Sequence, residues 1–133
     1  MIIHKTAAAI IEKNGKFLLI QRKNIPEQGY WALPGGHVDE GETIYEAACR
    51  EMKEEVGYIE LEKKPLFSFV HDVRIGHRHE CYVFRGAPSG KIKASSDASA
   101  IKWMSLKELN NNENINFAHF TALIFNKLYR KQL

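Results

Sequence analysis

The sequence predicts an α/β-type domain in which a mixed sheet is clasped by helices. Three observations carry this. Strand-like and helix-like segments occur in the order strands, helix, strands, helices. One helix is marked at both ends, by Thr43 with Glu46 and by Gly57. A hairpin is marked by Asn14-Gly15 between two apolar segments.

Taken in order, Thr6 to Glu12 is small and β-branched and reads as a strand, with Lys16 to Arg22 returning after the turn. Asn24 to Gly29 holds Pro26 and Gly29 and reads as a loop. Tyr30 to Leu33 is a short strand stopped by Pro34-Gly35-Gly36, where glycines permit a tight bend or a close approach to a ligand. In the helix that follows, Tyr45, Ala48, Cys49, Met52 and Val56 fall on one arc and should face the core. Ala47 should leave the neighbouring acidic arc uncluttered. Leu66 to Val73 and Glu80 to Arg85 read as strands around a loop, Arg74 to His79. Pro88-Ser-Gly90 reads as a turn, and Ile101 to Met104 as a short strand. Ser105 with Glu108 repeats the capping pattern for a short helix, Ser105 to Leu109. Phe117 to Tyr129 is apolar at helical spacing and closes the chain.

The 133 residues suit one domain spanning 1–133. A net charge of +3 is too small to indicate a nucleic-acid polymer or a membrane surface as partner. Cys49 and Cys81 do not make a disulfide framework, and two reduced thiols fit a cytoplasmic protein. The start, MIIHKTAAAI, is soon followed by Glu12 and is a poor signal peptide. No apolar stretch approaches the roughly 20 residues needed to span a bilayer.

Glu51, Glu54 and Glu55 are placed where a helix disfavours them. Spaced three and four apart, they share one face near the negative end of the helix dipole. Each like-charged pair costs roughly 0.2–0.5 kcal/mol. A divalent cation would offset this repulsion. The competing reading is an exposed helix face with Arg50 and Lys53 as salt-bridge partners.

The run Gly36-His-Val-Asp-Glu-Gly-Glu42, seven residues, then Arg50-Glu51-Met52-Lys53-Glu54-Glu55-Val56-Gly57 resembles the Nudix box, Gly-x5-Glu-x7-Arg-Glu-U-x-Glu-Glu-x-Gly-U, with U bulky and apolar. Tyr58 stands where an aliphatic residue is usual, a departure expected to touch packing rather than chemistry. Trp31-Ala-Leu-Pro-Gly-Gly36 and Trp103-Met-Ser-Leu-Lys-Glu-Leu109 are similar to family segments on either side of the box. The resemblance implies the Nudix fold, a mixed β-sheet between helices in an α/β/α sandwich. It implies hydrolysis of a nucleoside diphosphate linked to another group, with Mg²⁺ or Mn²⁺. It also implies Glu51, Glu54 and Glu55 as metal ligands, joined by the Gly36 carbonyl. Glu42 would support the site and Arg50 would orient a glutamate by a charge-assisted hydrogen bond. Glu51 is the first choice to take the proton of the attacking water, with Glu54 or Glu55 as alternatives. Some family members use an acid from a later loop, where Asp97 stands here.

Outside the box, Arg22, at a strand end, reads equally as a phosphate contact through its planar fork or as a surface arginine, and Gly35 of the glycine pair is a further substrate-binding candidate. Trp31 and Phe69 could stack on a nucleobase, although core packing is the simpler reading of both. His71, His77 and His79 lack a matching Cys/His pair, so solvated or substrate-facing rings are expected rather than zinc. For substrate, ADP-ribose and unmodified or oxidised nucleoside triphosphates rank nearly equal. Arg22 through Gly36 and Asn116-Phe-Ala-His-Phe120 look like the ADP-ribose group. A proline that marks one such group is absent, Val73 and Arg74 standing there. The alternative is a non-catalytic nucleotide-sensing or RNA-binding Nudix domain, which the intact acids disfavour. A homodimer is expected by analogy with relatives alone.

Overall fold

The computed structural model describes residues 1–25, 27–94, 98–110 and 116–132, with side chains in the last two segments described to residues 109 and 127. Strands β1 (Ile2–Lys13) and β2 (Lys16–Arg22) meet at the Asn14-Gly15 turn, where both residues take positive φ. Strands β3 (Trp31–Ala32) and β4 (Gly35–His37) are short, and helix α1 (Ile44–Glu55) follows. Then come β5 (Gly57–Leu61), β6 (Phe67–Arg74), β7 (His77–Ile92), β8 (Ala98–Ser105), α2 (Leu106–Asn110) and α3 (His119–Gln132).

The sheet runs β3-β2-β1-β7-β5, with β4 on β1, β6 on β7 and β8 on β2. The β1–β7 pair is parallel and the other pairs are antiparallel, so the sheet is mixed. Strand alternation sorts β1 to two faces. Ala7, Ala9 and Ile11 join Ala47, Ala48 and Met52 of α1 in one core, while Ala8 and Ile10 join Ile124 of α3 and Leu106 of α2 in another. The result is a helix–sheet–helix sandwich of the α+β class. Burying Met52 stabilises α1 on the sheet by about 1.5–3 kcal/mol. A buried hydroxyl ties the α3 layer down: Leu33 N–H donates to Thr121 Oγ1 at 3.0 Å.

Several expectations are corrected. Strand β5 was not expected; it begins at Gly57, the same glycine that ends α1, with φ +109. Pro88-Ser-Gly90 is not a turn, because β7 runs through it to Ile92. Between Gly57↔Ile92 and Ile59↔Pro88 the register slips, so these turn-type residues are absorbed as a bulge. The expected loop from Arg74 to His79 shrinks to Ile75-Gly76, with Gly76 at φ +78. Strand β8 spans Ala98–Ser105 rather than four residues, since it pairs along all of β2. Helix α3 starts at His119, because Phe117 forms a bridge with Trp31. Ala47 is fully buried in the α1 core instead of lying beneath the acids, while Tyr45 and Cys49 are half-buried at its edge. Tyr58 is 65% exposed, so the departure from the box lies outside the core. Pro26 and Asp97 lie outside the described residues.

Candidate active site

Helix α1 begins with a complete capping box. Thr43 Oγ1 accepts from Glu46 N–H and Glu46 Oε1 accepts from Thr43 N–H, both at 3.0 Å. The preceding turn is closed the same way, with Asp39 N–H donating to Glu42 Oε1 at 2.9 Å. These two closures set where α1 starts, and hence where its last turn delivers its acids.

That last turn abuts β4. Glu55 is only 5% exposed, and its Oε1 accepts from Gly35 N–H at 2.7 Å. Glu51 has a side chain 12% exposed and lies against the main chain of Gly36. A Cβ built on Gly36 would stand 2.5 Å from Glu51 Oε1, so only glycine leaves the carboxylate where it is. A Cβ on Gly35 would instead strike the backbone of Ala7 and Ala8 on β1. The two glycines thus do different work: Gly35 lets β4 approach β1, and Gly36 lets Glu51 approach β4. Glu54 is more exposed, its side chain at 43%.

Arg50 organises these acids. Its Nε and Nη2 hold Glu42 in a two-point pair at 2.7 and 3.0 Å. Its Nη1 donates to Glu51 Oε1 at 2.9 Å and to Glu54 at 3.3 Å, and Nη2 also donates to the His37 carbonyl at 3.0 Å. Asp39 lies 3.5 Å from the same guanidinium. The bonds to Glu42 push Arg50 above its usual range, partly opposed by burial. In return, bonds from Arg50 and from the Asp39 N–H hold Glu42 below the usual carboxylate range. Lys53 forms no ion pair among the described residues. Asp39, Glu42, Glu51 and Glu54 therefore share one guanidinium, with buried Glu55 beside them. The excess is negative and oxygen-rich.

This donor set fits a hard divalent cation, which prefers carboxylate and carbonyl oxygens. Glu51 and Glu55, both seated on β4, are the residues that could hold it together with the Gly36 carbonyl of that strand, and the more exposed Glu54 could join them.

A cavity of about 660 Å³ opens over these groups. Glu51, Glu55, Gly35 and Gly36 line it on one side, and Arg22 stands at the end of β2. Trp31 and Phe69 are not among the lining residues. Both pack against the α3-side core, and Lys127 Nζ sits 5.3 Å from the Phe69 ring centroid. Glu27, which sequence reasoning missed, lines the cavity and accepts from His119 N–H at 2.9 Å, capping the first turn of α3. His37, His71, His79 and His119 line the cavity too. Burial first, then the neighbouring imidazoles led by His37, depress His79 to about 4. Sequence reasoning weighed His71 and His79 but did not single out His37, placed by strand register, or His119, placed by the start of α3. Buried Cys81 also borders the cavity; its thiol is pushed up by burial.

Similarity to known proteins agrees with this geometry. The NUDIX domain family model matches residues 3–124. An ADP-ribose pyrophosphatase of Methanocaldococcus jannaschii is 40% identical over 113 residues, covering 82% of this chain and 67% of the relative. A Bacillus subtilis protein provisionally assigned as an 8-oxo-dGTP diphosphatase is 31% identical over 105 residues, covering 72% of this chain and 62% of that one. The crystal structure of a MutT NUDIX hydrolase from Burkholderia pseudomallei superposes with TM-score 0.79 at 31% identity, covering 95% of this chain and 98% of that one. A bifunctional NMN adenylyltransferase/ADP ribose pyrophosphatase from Francisella tularensis, complexed with AMP and a Mn ion, superposes with TM-score 0.76 at 28% identity, covering 96% of this chain and 41% of that one. Among the described residues no helix is long and apolar enough to cross a membrane. The chain belongs to the NUDIX domain family: it is a Nudix hydrolase, an enzyme that breaks a phosphoanhydride bond in a nucleotide derivative.

Proposed function

We propose that this site, loaded with Mg²⁺ or Mn²⁺, hydrolyses the pyrophosphate bond of ADP-ribose or a closely similar nucleoside diphosphate derivative. The observation that carries the reading is the convergence of Glu51 and Glu55 on the glycine pair of β4 at the wall of a nucleotide-sized cavity. When bound, the cation supplies charge neutralisation and a more acidic water. Glu51, held by Arg50, takes the proton of the attacking water; Glu54, Glu55 and Asp97 are the other acids suited to that role. Water adds across the P–O–P linkage, so ADP-ribose yields AMP and ribose 5-phosphate. Arg22 and Gly35 line the cavity and are the phosphate-side contacts in this reading.

ADP-ribose is placed first because the Methanocaldococcus relative, named for that activity, is 40% identical. A nucleoside triphosphate, unmodified or oxidised, is the second reading. It is favoured by Val73-Arg74 standing where one ADP-ribose group has proline, and by the name of the Bacillus relative. A small nucleotide rather than a nucleic-acid polymer or a membrane as ligand, a cytoplasmic location and a homodimer complete the proposal.

A screen of ADP-ribose, nucleotide sugars, triphosphates, oxidised triphosphates and dinucleoside polyphosphates tests it, with and without EDTA. Release of AMP from ADP-ribose, abolished by EDTA, is the expected result. Pyrophosphate release from a triphosphate at higher kcat/KM would move the assignment to the second reading. Tight ligand binding without turnover in added Mg²⁺ or Mn²⁺ would overturn both.

A further inference from the structure

We propose that His4, His37 and His79 form a second cation site, suited to a borderline transition metal such as Zn²⁺, Ni²⁺ or Co²⁺ and separate from the carboxylates of α1. All six histidines of the chain fall on one contiguous path of rings. Ring centroids lie 4.7 Å apart for His4 and His77, 5.5 Å for His4 and His37, and 5.5 Å for His37 and His79. From His79 the path runs to His71 at 5.3 Å and on to His119 at 5.7 Å.

Strand register creates this array. His79 on β7 faces His4 on β1 on one side and His71 on β6 on the other. His37 on β4 pairs with Thr6, two residues along β1 from His4 and therefore on the same face. Four neighbouring strands thus aim imidazoles at one patch, although the residues lie far apart in sequence. His77, two residues before His79, joins from the same strand.

One ring nitrogen from each of His4, His37 and His79 lies within 4.8 Å of the other two. Zinc bonds of roughly 2.0–2.1 Å in tetrahedral geometry place nitrogens about 3.3 Å apart. The rings therefore need to close by at most about 1.5 Å. His4 and His37 are exposed, so their side chains can turn without disturbing the core. Among the described residues, Nδ1 of His77 and Nδ1 of His71 are buried with no hydrogen-bond partner, a costly state for polar atoms. His77 Nε2 lies 3.2 Å from His4 Nδ1, a contact that would hold the His4 ring from behind with its Nε2 turned to a cation.

Ligand chemistry separates the two sites. Imidazoles suit Zn²⁺, Ni²⁺ and Co²⁺, whereas carboxylates and carbonyls suit Mg²⁺ and Mn²⁺. Three protein ligands leave a coordination position for a water or an anionic oxygen. His37 and His79 also line the cavity, so that position is within reach of a molecule held there. This inference stands independently of the assigned reaction.

Equilibrium dialysis against Zn²⁺ with metal analysis, together with the visible spectrum of the Co²⁺-loaded protein, tests it. Wild type should take up Zn²⁺ and show the intense bands of low-symmetry Co²⁺. The Glu51→Gln/Glu54→Gln variant should keep both signals, which separates failure of this site from failure of the carboxylate site. His79→Ala and His4→Ala should each weaken Zn²⁺ binding by more than about 100-fold, and His77→Ala by roughly 10–100-fold. His4 is exposed on β1, so His4→Ala should retain the wild-type melting temperature and exclude misfolding as the cause. No Zn²⁺ uptake by wild type would overturn the proposal, as would uptake lost in the glutamine variant, or uptake that survives His4→Ala and His79→Ala when these are made in the glutamine variant, where the carboxylate site no longer competes. A higher KM for nucleotide in His79→Ala with unchanged Zn²⁺ affinity would also overturn it, leaving the ring as a substrate contact.

Discussion

Replacing Gly36 with alanine should silence the enzyme while leaving its fold nearly intact. The backbone of Gly36 lies outside the positive-φ region, so alanine is conformationally acceptable there. What the added methyl meets is the carboxylate of Glu51, at 2.5 Å from Oε1 and 2.9 Å from Oε2. Ordinary contact begins near 3.4 Å, so the carboxylate must retreat by about 1 Å. Because the methyl meets the far end of a flexible side chain rather than main chain, that retreat costs less than a backbone shift would. The entropic gain of Gly→Ala, about 0.4–1 kcal/mol, offsets much of it. For a positioned catalytic group, however, a displacement of about 1 Å can lower the rate roughly 100-fold. Mg²⁺-dependent turnover and a thermal melt, measured side by side, should show that loss of kcat with Tm within a few degrees of wild type. Gly35→Ala is the contrast: its methyl meets main-chain atoms of Ala7 and Ala8 that cannot step aside, so it should unfold the β4–β1 pair. Near wild-type turnover in Gly36→Ala would refute the placement of Glu51 in the reaction.

Glu55→Ala leaves the part-buried Gly35 N–H without its acceptor and should cost about 1–3 kcal/mol in denaturant melts, whereas Glu55→Gln retains an acceptor and should lose turnover while keeping most stability. Thr43→Ala removes the N-cap acceptor of α1 and should cost about 0.5–2 kcal/mol, read as a lower Tm. Thr121→Val strands the buried Leu33 N–H and should destabilise by about 1–3 kcal/mol without changing kcat/KM, a result that activity assays on the folded variant can check. Since Glu42 titrates below its ordinary range in the folded state, its contribution is present above the usual carboxylate pKa of about 4.3 and is lost as pH falls through the lowered value. Glu42→Gln should accordingly flatten the acid limb of a stability-versus-pH curve measured by urea melts.

What was legible in the sequence was local. Thr43 and Glu46 close a hydrogen-bonded ring three residues apart, and Gly57 takes the φ that ends a helix, so α1 could be read from neighbouring residues alone. Ser105 and Glu108 do the same for α2. The acids also share a face through helix periodicity, a property of spacing. What was not legible depended on partners far away in the chain. Pro88 and Gly90 carry turn chemistry, and only the presence of β5 opposite them turns that chemistry into a bulge. Tyr58-Ile59-Glu60 is too short an alternation to declare a strand until β7 supplies the other half. Arg50 offered a charge, but its simultaneous hold on Glu42, Glu51 and Glu54 required the folded turn from His37 to Glu42. The histidine array is the extreme case, because residues 4, 37 and 79 meet through two strand registers and no local pattern.

The account depends on the α1 acids gripping a cation beside β4. Crystals grown with Mn²⁺ and examined by anomalous scattering test this directly. A manganese peak within bonding distance of Glu51, Glu55 and the Gly36 carbonyl, absent from Glu51→Gln/Glu54→Gln crystals, is the predicted result. A peak elsewhere, or none at saturating Mn²⁺, would contradict it.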